Sequence, residues 1–171
     1  LAAHYARTHG VPFFGLGLGM QMAVVEFANS VCGIPADTTE RDPQTPNPII
    51  DLMADFKDLD PRVDDTMRLG KYNLRICEGS LARAAYGAEV VGERHRNRYE
   101  LNPSYHDWLA QNGLHVTATC VENGLAEIVE LGNHPWFVCV LFHAEFLSRP
   151  NKPHPLFVSF IGAALQGKER Q

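Results

Sequence analysis

Between a short apolar run, Val11 to Phe14, and a strongly periodic helical stretch lies Gly15-Leu16-Gly17-Leu18-Gly19-Met20-Gln21. A glycine-flanked turn from strand into helix is where many α/β enzymes carry a nucleophile. The strained turn exposes one side chain, and the N–H groups of the helix N-terminus point at the same spot. Here the apex residue, Gly17, has no side chain. The surroundings are those of a catalytic elbow whose central group is missing. As a dinucleotide-binding turn, Gly15-x-Gly17 needs a further glycine where Met20 stands, and no Lys-Ser/Thr pair follows for a phosphate loop. A nucleotide-binding domain built on this turn is therefore disfavoured.

The rest of the chain alternates strand-like and helix-like segments. Leu1 to His9 reads as the end of an amphipathic helix closed by Gly10, and Val11 to Leu16 as a buried strand. Met20, Ala23, Val24, Phe27, Ala28 and Val31 form one helical face, ended by Gly33 and Pro35. Ile34 to Asp65, with its prolines, reads as a long loop holding one strand, Ile49 to Met53. Strands are expected over Met67–Cys77, His115–Val121, Leu125–Leu131 and Trp136–Phe142, the last central because it is wholly apolar. Short helices are expected over Ser80–Tyr86 and from a Ser104-x-x-Asp107 capping box to Gln111, and a final helix starts with Pro155 at its first position. The class is α/β.

A net charge of −5 with a pI near 5.9 argues against a nucleic-acid or anionic-membrane surface. Cys32, Cys77, Cys120 and Cys139 show no regular spacing, which suits reduced thiols in a cytoplasmic protein. No apolar run has the length of a membrane span, and no signal peptide is visible. His95, His106, His115 and His134 follow no ligand spacing, so no metal is expected.

Two further places carry candidate chemistry. His143-Ala144-Glu145 follows the apolar strand, at the edge where α/β sheets bind ligands, and can supply a base with an orienting carboxylate or a solvated loop pair. Glu93-Arg94-His95-Arg96-Asn97-Arg98-Tyr99-Glu100 is either a salt-bridged loop or edge strand or a carboxylate-binding site built on the arginine fork.

In this order, these places resemble the glutaminase domain of the CTP synthases, a class I glutamine amidotransferase. Pro12-Phe13-Phe14-Gly15, Gly19-Met20-Gln21 and Val25-Glu26-Phe27-Ala28 match its elbow and helix. Thr39-Glu40, Thr66-Met67-Arg68-Leu69-Gly70, Glu93-Arg94-His95-Arg96, Arg98-Tyr99-Glu100 and His134-Pro135-Trp136-Phe137 follow in place. Phe142-His143-x-Glu145-Phe146, Ser148-Arg149-Pro150 and Pro155-Leu156-Phe157 complete the likeness.

The resemblance implies a flavodoxin-like three-layer sandwich with a mostly parallel central sheet. Residues 1–171 would be the C-terminal two-thirds or so of the glutaminase domain, its N-terminal part absent. It implies a cysteine nucleophile at the position of Gly17, with His143 and Glu145 completing the triad and the Leu18 N–H as one oxyanion donor. The second donor would come from a glycine-rich loop upstream of residue 1. Leu18, Gly19, Met20, Gln21, Glu40, Arg98 and Tyr99 match positions that hold L-glutamine, with Glu40 facing the α-ammonium and Arg98 the α-carboxylate. A separate synthetase domain would use the ammonia to aminate UTP with ATP and Mg2+. This chain would therefore need no cofactor or metal of its own, and the full-length enzyme would be a cytoplasmic homo-oligomer. Gly17, Leu141 and Ala144 depart from the family's cysteine, glutamine and proline. The expectation is a glutaminase domain without glutaminase activity; the alternative is a non-catalytic glutamine-sensing or scaffolding module.

Overall fold

The computed structural model describes residues 1–53 and 67–168. The helices are α1 (Ala2–His9), α2 (Leu18–Ser30), α3 (Leu81–Tyr86), α4 (His106–Gln111) and α5 (Pro155–Lys168). The strands are β1 (Phe13–Leu16), β2 (Ala36–Thr38), β3 (Asn47–Leu52), β4 (Arg68–Ile76), β5 (Val90–Asn97), β6 (Tyr99–Leu101), β7 (Leu114–Cys120), β8 (Ala126–Leu131) and β9 (Phe137–Val140). A six-stranded sheet runs β1-β9-β8-β7-β4-β5, and a smaller one runs β2-β3-β6.

The main sheet corrects the expectation of mostly parallel strands. Among the described residues only its β1–β9 pair is parallel, and the other four pairings are antiparallel. The cause is connection length. The turns after β7 and β8 are too short for a crossover, so each strand must fold back beside its predecessor. The layered arrangement is present. Along β9 and its extension, Phe137, Cys139 and Leu141 pack with α2 and α4, while Val138, Val140 and Phe142 pack with α3 and α5.

Several boundaries differ from the expected ones. The strand expected from Val11 begins at Phe13, and the one expected over Trp136–Phe142 spans Phe137–Val140, although Leu141 and Phe142 remain fully buried. The loop after Ile34 contains β2 as well as β3; its part from residue 54 to Asp65, and Thr66 of the Thr-Met-Arg motif, lie outside the described residues. The capping box at Ser104 is not formed. Asn102 instead accepts from the Ser104 N–H at 3.1 Å, opening a 3-10 turn over Pro103–Tyr105 that leads into α4. Asn before Pro holds its backbone extended, which favours the cap one turn earlier. The helix expected over Ser80–Tyr86 spans Leu81–Tyr86, with Ser80 as its cap, accepting from the Arg83 N–H, and Gly87 closing it.

Candidate active site

The parallel β1–β9 pair brings the ends of two strands together, and the site is built across that junction. β1 ends at Leu16, and the Gly17 N–H donates to the Val140 carbonyl at 2.9 Å, locking the elbow onto β9. Gly15, paired with Cys139, lets α2 close over the strand. A Cβ on Gly15 would lie 2.8 Å from Cys139 Sγ and 2.9 Å from the Gly19 carbonyl. Gly17 caps α2 with φ 52° and ψ −111°, a conformation strained for any residue with a side chain. A Cβ there would stand 3.4 Å from His143 Cε1 and 3.5 Å from Nε2, in ordinary contact. The elbow thus presents its apex to the imidazole.

His143 lies just beyond β9. Its N–H donates to the Arg94 carbonyl of β5 at 2.9 Å, its ring stacks on Phe146, and its Nδ1 meets Glu145 Oε1 at 2.6 Å. That contact leaves Nε2 as the ring nitrogen facing Gly17. Leu18 is the first residue of α2, so its N–H has no partner four residues back.

Gly17, Leu18, Gln21 and His143 line a cavity of about 290 Å³, closed on the far side by Glu40, Arg98 and Tyr99. Gln21 is buried; its Nε2 donates to the Tyr99 carbonyl at 3.5 Å, and its Oε1 has no partner. The Tyr99 phenol is pushed upward by burial first and then by the Glu40 carboxylate, with Arg98 opposing. Glu40, Arg98 and Tyr99 therefore share one electrostatic neighbourhood. Met67, Arg96 and Asn97 complete the lining among the described residues. Gly19 and Met20 are not in it: Met20 is fully buried in the core, where its N–H closes the first turn of α2 on the Gly17 carbonyl.

The Glu93–Glu100 segment divides: Glu93–Asn97 belongs to the edge strand β5, whose two faces differ, and Tyr99–Glu100 to β6 of the smaller sheet. Arg94 and Arg96 are exposed, whereas Glu93, His95 and Asn97 point inward and are buried. Beneath the cavity floor, Arg68 reaches Glu127 at 2.6 Å and Glu100 at 3.2 Å, and Glu127 also holds His95 Nε2 at 2.6 Å. Burial lowers the Arg68 guanidinium, but the facing carboxylates outweigh it and hold the group above its ordinary value. Burial pushes Glu100 up to about 7, against the pull of Arg68. A second cluster joins Glu93 to His154 and Tyr86, each at 2.8 Å, tying β5 to the start of α5. Sequence reasoning gave neither Glu127 nor His154 a role. The available signal was two carboxylates, Glu127 and Glu130, inside an otherwise apolar strand.

Neither Cys139 nor Cys32 presents a thiol at the elbow apex. Cys139 lies under the elbow but is fully buried, which pushes its thiol far up, and Cys32 follows the opposite end of α2. Among the described residues no three His, Cys, Asp or Glu side chains cluster as a metal site, and no helix is long and apolar enough to cross a membrane.

A strand–elbow–helix with a facing His–Glu pair over a small pocket is the arrangement of an α/β enzyme of the nucleophile-elbow kind. The family model "Glutamine amidotransferase class-I" matches residues 1–163, and the chain belongs to that family. Its relatives narrow the class to one branch. The chain is 52% identical over 165 residues to the CTP synthase of Moorella thermoacetica, covering 96% of this chain and 30% of that protein. It is 53% identical over 169 residues to the CTP synthase of Pelotomaculum thermopropionicum, covering 98% of this chain and 31% of that one. It thus spans about a third of the length of these curated relatives. The glutaminase domain of Trypanosoma brucei CTPS, solved with bound acivicin, superposes with a TM-score of 0.88 at 32% identity, over 96% of this chain and 64% of that one. A putative GMP synthase protein from Thermoplasma acidophilum shares the fold alone, with a TM-score of 0.61 at 13% identity, over 99% of this chain and 65% of that one.

Proposed function

We propose that this chain is the glutaminase portion of a CTP synthase-type protein, with its glutamine pocket kept and its hydrolytic step lost. One observation carries the reading: the elbow apex, 3.5 Å from His143 Nε2 at its Cβ position, is a glycine. In the reaction implied by the family, a thiolate attacks the carboxamide, ammonia leaves, and water releases glutamate from the thioester. His143, oriented by Glu145, would move the protons, and the Leu18 N–H would hold the oxyanion. Without the sulfur no acyl-enzyme forms. Losing one member of such a unit costs about as much as losing all, on the order of a million-fold in the serine-protease case. Glutamate release from glutamine should equal that of Gly17→Ala, and release clearly above it overturns the reading.

In this reading the ammonia-using partner is a separate synthetase domain, where ATP and Mg2+ act and UTP is aminated. The protein would be cytoplasmic, and the full-length form a homo-oligomer. A second reading, a glutamine-binding module without catalysis, is favoured by the pocket itself, since Gln21, Glu40, Arg98 and Tyr99 surround the cavity although the nucleophile is gone. Calorimetry separates the two versions of that module. Glutamine binding lost in Arg98→Ala supports a sensing pocket, and no binding by the unaltered chain leaves a scaffold.

A further inference from the structure

We infer that this chain pairs with a second copy of itself through the free edge of β1 and the apolar row of α5 beside it. The inference is independent of the elbow cavity and of what that cavity holds.

β1 ends the main sheet, and among the described residues no strand lies beyond it. Its one neighbour, β9, is parallel, and the Phe13 and Gly17 N–H groups donate to the Trp136 and Val140 carbonyls at 2.9 Å. Bonding alternates along a strand, so the N–H and C=O groups of Phe14 and Leu16 point the other way, with no strand to meet them. Parallel strands are ordinarily covered on all sides. Exposed edges are ordinarily blunted by a lysine, a proline or a bulge, and Phe13 to Leu16 has none of these.

Helix α5 supplies a second observation. From Pro155 to Gly167 it contains no Asp, Glu, Lys or Arg. A surface helix keeps a charged or polar outer face, whereas one that is apolar all round is a covered one. Here Leu156 is fully buried in the core, yet Val158, Ile161 and Leu165 stand 55%, 54% and 61% exposed. Phe157, Ile161 and Leu165 follow at four-residue steps and so form one ridge. Phe157 meets the Phe14 ring of β1 edge to face, with centroids 5.4 Å apart. The ridge and the strand edge are one continuous wall.

A second copy matches this wall in both of its parts. A twofold axis across β1 sets the two edges antiparallel, so that Phe14 and Leu16 of each copy supply the ladder bonds. The same axis brings the two α5 ridges together on one face of the joined sheet. The chain carries a net charge of −5, but none of it lies on β1 or on α5 as far as Gly167, so no like charges face each other. The fourteen residues of α5 make the wall about 21 Å long. Two helix layers and the sheet, about 10 Å each, make it about 30 Å high. The product, roughly 600 Å² per copy, is at the lower end of what a stable complex buries from each partner.

The test is sedimentation equilibrium of the unaltered chain from about 1 to about 100 μM, with amide hydrogen exchange at both ends of that range. The mass should rise from 19.0 kDa to twice that value, and the Phe14 and Leu16 amides should gain protection with it. The double variant Ile161→Glu with Leu165→Glu changes only exposed positions and places like charges against each other. It should weaken pairing at least about a hundredfold. A monomer at every concentration overturns the inference, and so does growth past a dimer. A dimer that leaves the two amides unprotected, or that survives both glutamates, forms elsewhere and overturns it too. Exchange in the unaltered chain decides the matter even if the variant fails to fold.

Discussion

Introducing a thiol at the elbow is the sharpest probe of this site, because the structure fixes what surrounds the new sulfur. In Gly17→Cys the Cβ would stand 3.5 Å from His143 Nε2, and the sulfur one bond further on, at roughly 4 Å from the ring. Two unit charges at that distance attract by about 4 kcal/mol at an effective dielectric of 20. The His143 side chain is 25% exposed, so screening leaves about half, roughly 2 kcal/mol. The helix N-terminus adds about 0.3–1 kcal/mol for a thiolate. Together these lower the thiol by about 2 units from its free value near 8.5, to roughly 6.5.

The assay is the pH dependence of iodoacetamide alkylation, read peptide by peptide by mass spectrometry. Exposed Cys77 in the same sample serves as the internal reference. The introduced thiol should react at pH 6.5 at about half its limiting rate, and His143→Ala in the same background should move its midpoint up by about 1–2 units. A midpoint at or above about 8.5 would refute the placement of His143 over the elbow. The backbone supplies an independent check. A side chain held at φ 52° costs on the order of 1–3 kcal/mol, so Gly17→Cys and Gly17→Ala should both melt lower, by about 2–4 °C per kcal/mol in a domain of this size.

Other perturbations test the frame beneath the pocket. Glu127→Ala leaves Arg68 and His95 buried without their shared carboxylate and should cost about 3–5 kcal/mol in urea unfolding; a loss below about 1 kcal/mol would contradict the pairing. Glu100 titrates near 7 in the folded chain and near 4.3 unfolded, so the folded state binds the extra proton. Stability from this group is complete below about pH 4.3 and is lost as pH rises through 7, by up to about 4 kcal/mol. Glu100→Gln should flatten that fall, and an unchanged pH profile would show that Glu100 is not its source. His154→Ala removes one of the two donors that meet Glu93, leaving the Tyr86 hydroxyl, and should cost about 1–3 kcal/mol by the same measurement; a double variant with Tyr86→Phe, which leaves Glu93 without either donor, should cost more.

Much of the site was legible because its chemistry is local in sequence. A glycine turn between an apolar strand and a periodic helix fixes an elbow, and His143-Ala144-Glu145 places base and carboxylate together. Strand direction was less legible. The apolar run of β9 looks the same whether its neighbours are parallel or antiparallel, and only connection length distinguishes them. The helix cap at residue 104 was misplaced because Ser104 and Asn102 are both capable acceptors, and Pro103 decides between them. The buried charges were the hardest. Glu100 and Glu127 lie 32 and 59 residues from Arg68 along the chain, so nothing in any local window pairs them. Each alone reads as a solvated residue on a strand.

That buried frame explains how the elbow cavity stands without a side chain at position 17. The elbow is held by the Gly17 N–H on Val140 and by the close approach of Gly19 to Gly15, and His143 by its N–H on Arg94. None of these contacts uses a side chain at position 17. The far wall, Arg98 and Tyr99, sits between Asn97 and Glu100, which Asn97 Nδ2 joins at 2.7 Å and Arg68 anchors from below. A glycine at position 17 therefore leaves the cavity standing, and it suits the φ of 52° there. A Gly17→Cys chain that gains a low-pKa thiol yet hydrolyses no glutamine would place the barrier in the oxyanion contacts rather than in the pocket.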